Sequence, residues 1–233
     1  MQIKIKQGMN RIGMKRLIEL AQSIKDKELR EKVVLLLKDP KLSHKDFKKY
    51  PRMEWDKAAT SFAAGAMSTP VERNVLEHTI TLAELCMKTA EIIEKNYNIP
   101  FNRDNLLAAA LVHDVMHLYE YKRTKGKLEH TGIMLDHSML GVAELYGRGF
   151  PEQVIHIVAS HFGENGPTPP RCFEALIFHH LDTLLAVTEY HMYATKQEAE
   201  PMQLLLFDED MLKQITQQAI HGEHPEIKKS DVK

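Results

Sequence analysis

Leu106-Leu107-Ala108-Ala109-Ala110-Leu111-Val112-His113-Asp114-Val115-Met116 is the stretch on which the fold turns. Its apolar residues leave no polar face, so a helix formed by it is buried all round. An ionised carboxylate in such surroundings is costly unless it has a cation to bind, and Asp114 sits between Leu111, Val112, Val115 and Met116. The segment therefore predicts a buried helix carrying an acid that needs a counter-charge.

Outward from this segment the chain reads as helical almost throughout. Residues 10–24 and 27–38 repeat apolar side chains at helical spacing (Ile12, Leu17, Leu20, Ile24; Leu29, Val33, Leu36, Leu37), and Asp39-Pro40 stops the second run. Residues 39–68 are turn-rich and contain the single Trp55; they predict a loop or short helices over the main domain. Thr69-Pro70-Val71-Glu72 has the form of a capping box with proline at the first helical position, so a long helix is expected from there to about Tyr97. Asn102 caps the buried helix, and the polar, basic residues 119–135 predict a loop. Further helices are expected from Asp136 or His137 to about Gly147, from Pro151 to about His161, from Arg171 to Ala194, and near Asp208–Ile220. No strand-like alternation stands out. The reading is an all-α fold with a helical extension at 1–68 packing on the core, a metal-binding domain at 69–197, and a C-terminal helix and polar tail at 198–233.

Composition limits the function. The 233 residues are 43% hydrophobic and 27% charged, which fits one ordinary soluble domain with modest additions. A net charge of -1 argues against coating nucleic acid or membrane by bulk charge. No apolar run approaches the roughly 18 residues of a membrane span, and the N-terminal stretch lacks the uninterrupted apolar run of a secretory signal. Two cysteines, Cys86 and Cys172, cannot form a disulfide framework or a Cys-rich zinc site, so the expected home is the reducing cytoplasm. Thirteen histidines are out of proportion.

The histidines have a pattern. His78 falls in the first long helix, His113 and Asp114 near the end of the buried one, His137 at a helix start, His161 at a helix end, and Asp182 in the last long helix. Asp182 lies among Ile177, Phe178, Leu181, Leu184 and Leu185 and has the same need of a cation as Asp114. Acids and histidines on separate helices are the usual means of building a metal centre in a bundle. Nitrogen and carboxylate ligands without thiolate suit Fe, Mn, Co, Ni or Zn, and this many ligands suit two ions sharing a carboxylate.

These residues resemble the HD-domain metal-dependent phosphohydrolases, whose pattern is a histidine, a His-Asp doublet, two further histidines in the dinuclear subgroup, and a distant aspartate. Leu76-Glu77-His78-Thr79 is similar to the family's opening motif and Glu174 to Asp182 to its closing one. The resemblance covers residues 70–195 and implies an HD-domain helical bundle. It implies one metal held by His78, His113, Asp114 and Asp182, and a second by Asp114, His137 and His161, with a hydroxide between the ions as nucleophile. Two departures bear on substrate. His117 stands where many relatives have lysine, three residues after Asp114, and is the expected proton donor or phosphate contact beside Asp114 in the catalytic set. Phe162 stands where a second histidine is common. Arg73, Lys122, Arg123, His130 and Arg171 are the candidate phosphate contacts.

The function expected is a metal-dependent phosphohydrolase, with a phosphodiesterase favoured because a dinuclear site can activate water and stabilise the leaving oxygen together. The substrate is expected to be small and phosphorylated. Nucleic acid is disfavoured, since no β-rich segment supplies a strand-gripping domain. Within the family the arrangement is similar to archaeal phosphodiesterases acting on 7,8-dihydroneopterin 2′,3′-cyclic phosphate. That likeness implies Fe2+ as the favoured ion, with Mn2+, Co2+, Ni2+ or Zn2+ as alternatives. Two other readings stay open: a mixed-valent di-iron oxygenase on the same ligands, and a nucleotide phosphohydrolase or nuclease-type HD domain. A homo-oligomer is compatible with the sequence, and no membrane partner is expected.

Overall fold

The computed structural model describes residues 13–62 and 71–197, with side chains as far as residue 194. Helix α1 spans residues 13–22 and α2 spans Lys27–Lys38, begun by Asp26, whose side chain accepts from the Leu29 amide. The apolar stripe of α2 (Leu29, Val33, Leu36, Leu37) is buried. A chain segment then runs over the core and is tied to it. Trp55 Nε1 donates to the Leu37 carbonyl at 3.0 Å, the Met53 amide to Leu118 O at 2.8 Å, and the Tyr119 hydroxyl to Pro40 O at 2.8 Å.

Two small antiparallel sheets interrupt the helices. Strand β1 (Ala59–Phe62) pairs with β2 (Val71–Asn74), and β3 (Tyr121–Thr124) with β4 (Lys127–His130). The first pair corrects the helix start expected at residues 69–72. Val71–Asn74 is extended, and helix α3 (Val75–Tyr97) begins where the Asn74 side chain accepts from the Glu77 amide at 3.0 Å. Backbone pairing with β1 claims the residues that a capping motif alone would have made helical; Thr69 and Pro70 lie outside the described residues. The second pair replaces the loop expected after residue 119. It turns at Lys125 and Gly126, both at positive φ, which closes a tight hairpin.

Helix α4 (Arg103–Val112), capped by Asn102, is buried at every position from Leu106 to Val112. It ends four residues earlier than the apolar run, because His113–Met116 form a turn leading into the short α5 (His117–Glu120). Helices α6 (His137–Gly147, capped by Asp136), α7 (Glu152–Ala159) and α8 (Phe173–Gln197) complete the described chain. Helix α4 is the hub: α2, α3 and α7 pack on it, and α6 packs on α7. Leu17, Leu36, Leu82, Leu106, Leu111, Ile157 and Phe178 belong to one buried cluster, so α1 and α2 share a core with the later helices. The all-α class expected from the sequence is the observed one, with only these small sheets added.

The described residues as far as Ala194 belong to one compact unit. Residues 198–233, with the helix expected near 208–220, fall outside the described residues. Among the described residues no helix is long and apolar enough to cross a membrane.

Candidate metal centre

The turn after α4 sets Asp114 at the middle of the site. Its carboxylate is almost wholly buried and its two oxygens face different neighbours. Oδ1 lies 3.2 Å from His113 Nε2, 3.5 Å from His117 Nε2 and 3.7 Å from His137 Nε2. Oδ2 lies 3.0 Å from Arg73 Nη2 and 3.8 Å from His78 Nε2. Helix α3 supplies His78, fully buried one turn from its start, and α8 brings Asp182 Oδ1 to 3.0 Å from His78 Nε2. His137 opens α6, and His161 follows α7, with its Nε2 3.3 Å from that of His137.

The rings are aimed by their outer nitrogens. His113 Nδ1 donates to Ala110 O at 3.0 Å and His161 Nδ1 to Val158 O at 2.7 Å, which turns each Nε2 towards the centre. His78 Nδ1 is 2.9 Å from Glu189 Oε2. His117 Nδ1 bonds to Glu120, and the His117 and His137 rings stack with centroids 3.6 Å apart. His179 Nδ1 donates to the His161 carbonyl at 2.6 Å and so fixes the backbone that carries His161.

Charge in the site is tightly balanced. Burial and the Arg73 guanidinium oppose a charged His78, yet hydrogen bonds to Asp182 and Glu189, with Asp114 nearby, raise its imidazole to about 9. Burial would push Asp114 up, but His113, His117 and Arg73 hold it well below the usual carboxylate range. Asp182 is likewise kept low against its burial, chiefly by His78. Burial lowers His137 and His161, with neighbouring imidazoles adding to the effect.

The donor set fits divalent transition metals. His78, His113 and Asp182 offer atoms all within 4.8 Å of one another, and so do Asp114, His117 and His137. His113 Nε2 is buried and makes no hydrogen bond, even beside Asp114; an orphaned imidazole nitrogen aimed at carboxylates is what a metal ligand looks like before the ion is added. Five of the six residues singled out by sequence fall in these clusters, His117 joins them as a further donor, and His161 stands outside both with its Nε2 3.3 Å from His137.

Of the candidate phosphate contacts, only Arg73 reaches the site. It is buried, its Nη1 lying 3.2 Å from His78 Nδ1 and 3.9 Å from Glu189, with the guanidinium over the Phe62 ring. A cavity of about 480 Å³ opens above the centre, walled by Ser61, Phe62, Phe162, Asn165 and Thr183. Lys122, Arg123 and His130 stand on the exposed β3–β4 hairpin, outside this lining. Arg123 pairs with Glu72 at 2.6 Å, and His130 Nδ1 accepts from the Gly132 amide at 3.0 Å. Arg171 is exposed before α8, where its amide donates to His156. Sequence reasoning missed Glu189 and Glu120. Glu189 follows Asp182 by two helical turns and Glu120 follows His117 by one, spacings that put each on its partner's helix face.

Two donor clusters at the heart of a helical bundle, with one carboxylate facing both, mark the class: a helical protein with a candidate dinuclear metal site. The HD domain family matches residues 75–187. A curated relative, dihydroneopterin 2′,3′-cyclic phosphate phosphodiesterase of Methanocaldococcus jannaschii, is 42% identical over 173 residues, spanning 72% of this chain and 67% of its own length. The chain belongs to the HD-domain family of metal-dependent phosphohydrolases. Among solved structures, the HD domain of L. monocytogenes phosphodiesterase PgpH overlaps 63% of this chain and 79% of its own. Its TM-score is 0.40 at 18% identity, a likeness too loose to bear on function.

Proposed function

We propose that the protein is a metal-dependent phosphodiesterase acting on a small cyclic phosphate ester, with 7,8-dihydroneopterin 2′,3′-cyclic phosphate as the candidate substrate. The observation that carries this reading is the placement of Asp114, whose Oδ1 faces His113, His117 and His137 and whose Oδ2 faces His78. The relative from M. jannaschii, at 42% identity, supports the choice of ester.

In this reading His78, His113 and Asp182 hold one ion with Asp114, and His137 and His161 hold the other with Asp114. When bound, such a pair supplies a nucleophile from water at neutral pH and Lewis acidity for the phosphate oxygens; Fe2+ is the favoured ion. The chain's own residues do the rest. Arg73 contributes a planar fork suited to a non-bridging phosphate oxygen. His117, with Nδ1 held by Glu120, presents Nε2 as the proton donor for the leaving oxygen. The Phe62 and Phe162 rings give the cavity apolar walls, and Ser61, Asn165 and Thr183 give it hydrogen-bonding groups that can orient the organic part of the ester.

The test is anaerobic turnover of the pterin cyclic phosphate and of bis(p-nitrophenyl) phosphate, with chelated protein reloaded with Fe2+ or Mn2+. Monophosphate product from the cyclic ester, dependent on metal and lost in Asp114→Ala, is expected. Metal-loaded protein that hydrolyses neither ester, or that turns over only with oxygen uptake, overturns the reading.

A further inference from the structure

Glu189 has no part in either donor cluster, yet it is buried beside the metal centre. It lies on α8 two turns beyond Asp182, so both acids project from one face of the same helix. They take opposite edges of one ring: Asp182 Oδ1 is 3.0 Å from His78 Nε2 and Glu189 Oε2 is 2.9 Å from His78 Nδ1. Helix α8 thus grips the imidazole of α3 at both nitrogens.

Two of the other rings read as metal ligands are held differently. His113 and His161 each give Nδ1–H to a backbone carbonyl three residues earlier, a neutral acceptor on their own segment. His78 gives its Nδ1–H to a carboxylate from a distant helix. A charged acceptor behind the ring fixes its orientation and, once a metal takes the place of the proton that Nε2 shares with Asp182, would make that nitrogen a stronger donor than a carbonyl-bonded imidazole. Glu189 thereby backs a ring read as a metal ligand, whereas the comparable acid on the other side, Glu120, backs His117, which is read as the proton donor.

We propose that Glu189 is a positioning residue for His78, and that it makes the His78–His113–Asp182 cluster the tighter of the two metal sites. This rests on the reading that these clusters hold metal, and it concerns no substrate. Arg73 Nη1, 3.9 Å from Glu189 Oε2, is a second partner for the acid. A merely structural Glu189–Arg73 pair would matter to the fold and not to one metal site alone.

The experiment is a titration of the chelated full-length protein with Co2+, followed by visible absorption and by calorimetry, so that two binding steps are resolved without turnover. In Glu189→Ala the tight step is expected to weaken by about 10–100-fold, with the weak step unchanged and its absorption band retained. Glu189→Gln keeps an acceptor oxygen but loses the charge, so its tight step is expected between the wild type and the alanine variant. If Glu189→Ala does not fold, Glu189→Gln decides by the same readout. Two unaltered steps overturn the proposal, and so do two steps weakened equally in a variant whose metal-free unfolding temperature matches the wild type. Because no ester is present, a failed titration is distinguishable from a failed phosphodiesterase assignment.

Discussion

Gly163 gives the strongest single test of how the second half of the site is built. It follows His161 by two residues and has φ of +59°, a left-handed conformation that an L side chain adopts at a cost of about 1–2 kcal/mol. A Cβ there would meet the His179 ring, lying 2.5 Å from Cε1 and 2.9 Å from Cδ2, with Nε2 in contact as well. Overpacking of that kind costs about 1–3 kcal/mol. The ring can escape only by rotating, which breaks its hydrogen bond to His161 O and forfeits about 1 kcal/mol instead. Clash and lost bond are alternatives rather than a sum, so Gly163→Ala is expected to destabilise by about 2–4 kcal/mol. At roughly 2–4 °C per kcal/mol for a chain of this size, the metal-free protein should melt about 5–15 °C lower. The assay is thermal unfolding of Gly163→Ala, His179→Ala and the double variant. The double variant removes the clash, so its loss should fall well short of the summed single losses. Unfolding within about 1 °C of wild type for Gly163→Ala, or strict additivity in the double variant, would refute the packing described for this loop.

Two further outcomes follow from the same geometry. Arg73→Met leaves Asp114 without its 3.0 Å partner, so the chelated protein should lose about 3–5 kcal/mol. Added divalent metal should recover much of that loss in thermal unfolding; an identical loss with and without metal would show that Arg73 does not balance this charge. Asn74→Ala removes the side-chain acceptor for the Glu77 amide and should cost about 1 kcal/mol by denaturant unfolding, whereas an unchanged midpoint would return the helix start to the upstream Thr-Pro motif.

Much of the site was legible because its signals are local. A carboxylate inside an unbroken apolar run cannot be hidden, and Asp114 announced a cation from sequence alone. The caps at Asn102 and Asp136 were legible for the same reason: each is a short polar side chain directly before an apolar helix. The start of α3 was misread because Thr69-Pro70-Val71-Glu72 satisfies a local rule that pairing with Ala59–Phe62 overrides. Tertiary partners outweigh a capping preference worth only about 1 kcal/mol. The β3–β4 hairpin hid among lysines and arginines because its burial is slight and no clean alternation marks it. Arg73 was expected to clamp phosphate, and it lies within the centre with Nη2 3.0 Å from Asp114. Nothing in its sequence neighbours distinguishes a clamp from a buried counter-ion.

Strand β2 has one more implication, which concerns register. Val71 and Arg73 point inward and Glu72 outward, with Thr60 opposite Arg73 and Ser61 opposite Glu72. Sliding this four-pair ribbon by one residue would exchange every inward side chain for its neighbour. Glu72 would then crowd in beside Asp114 and Glu189, where like charges repel. The alternation of a strand too short to stand alone thus chooses the sign of the charge delivered to the centre. Mispairing there would be electrostatically self-rejecting, which protects so brief a ribbon from slipping.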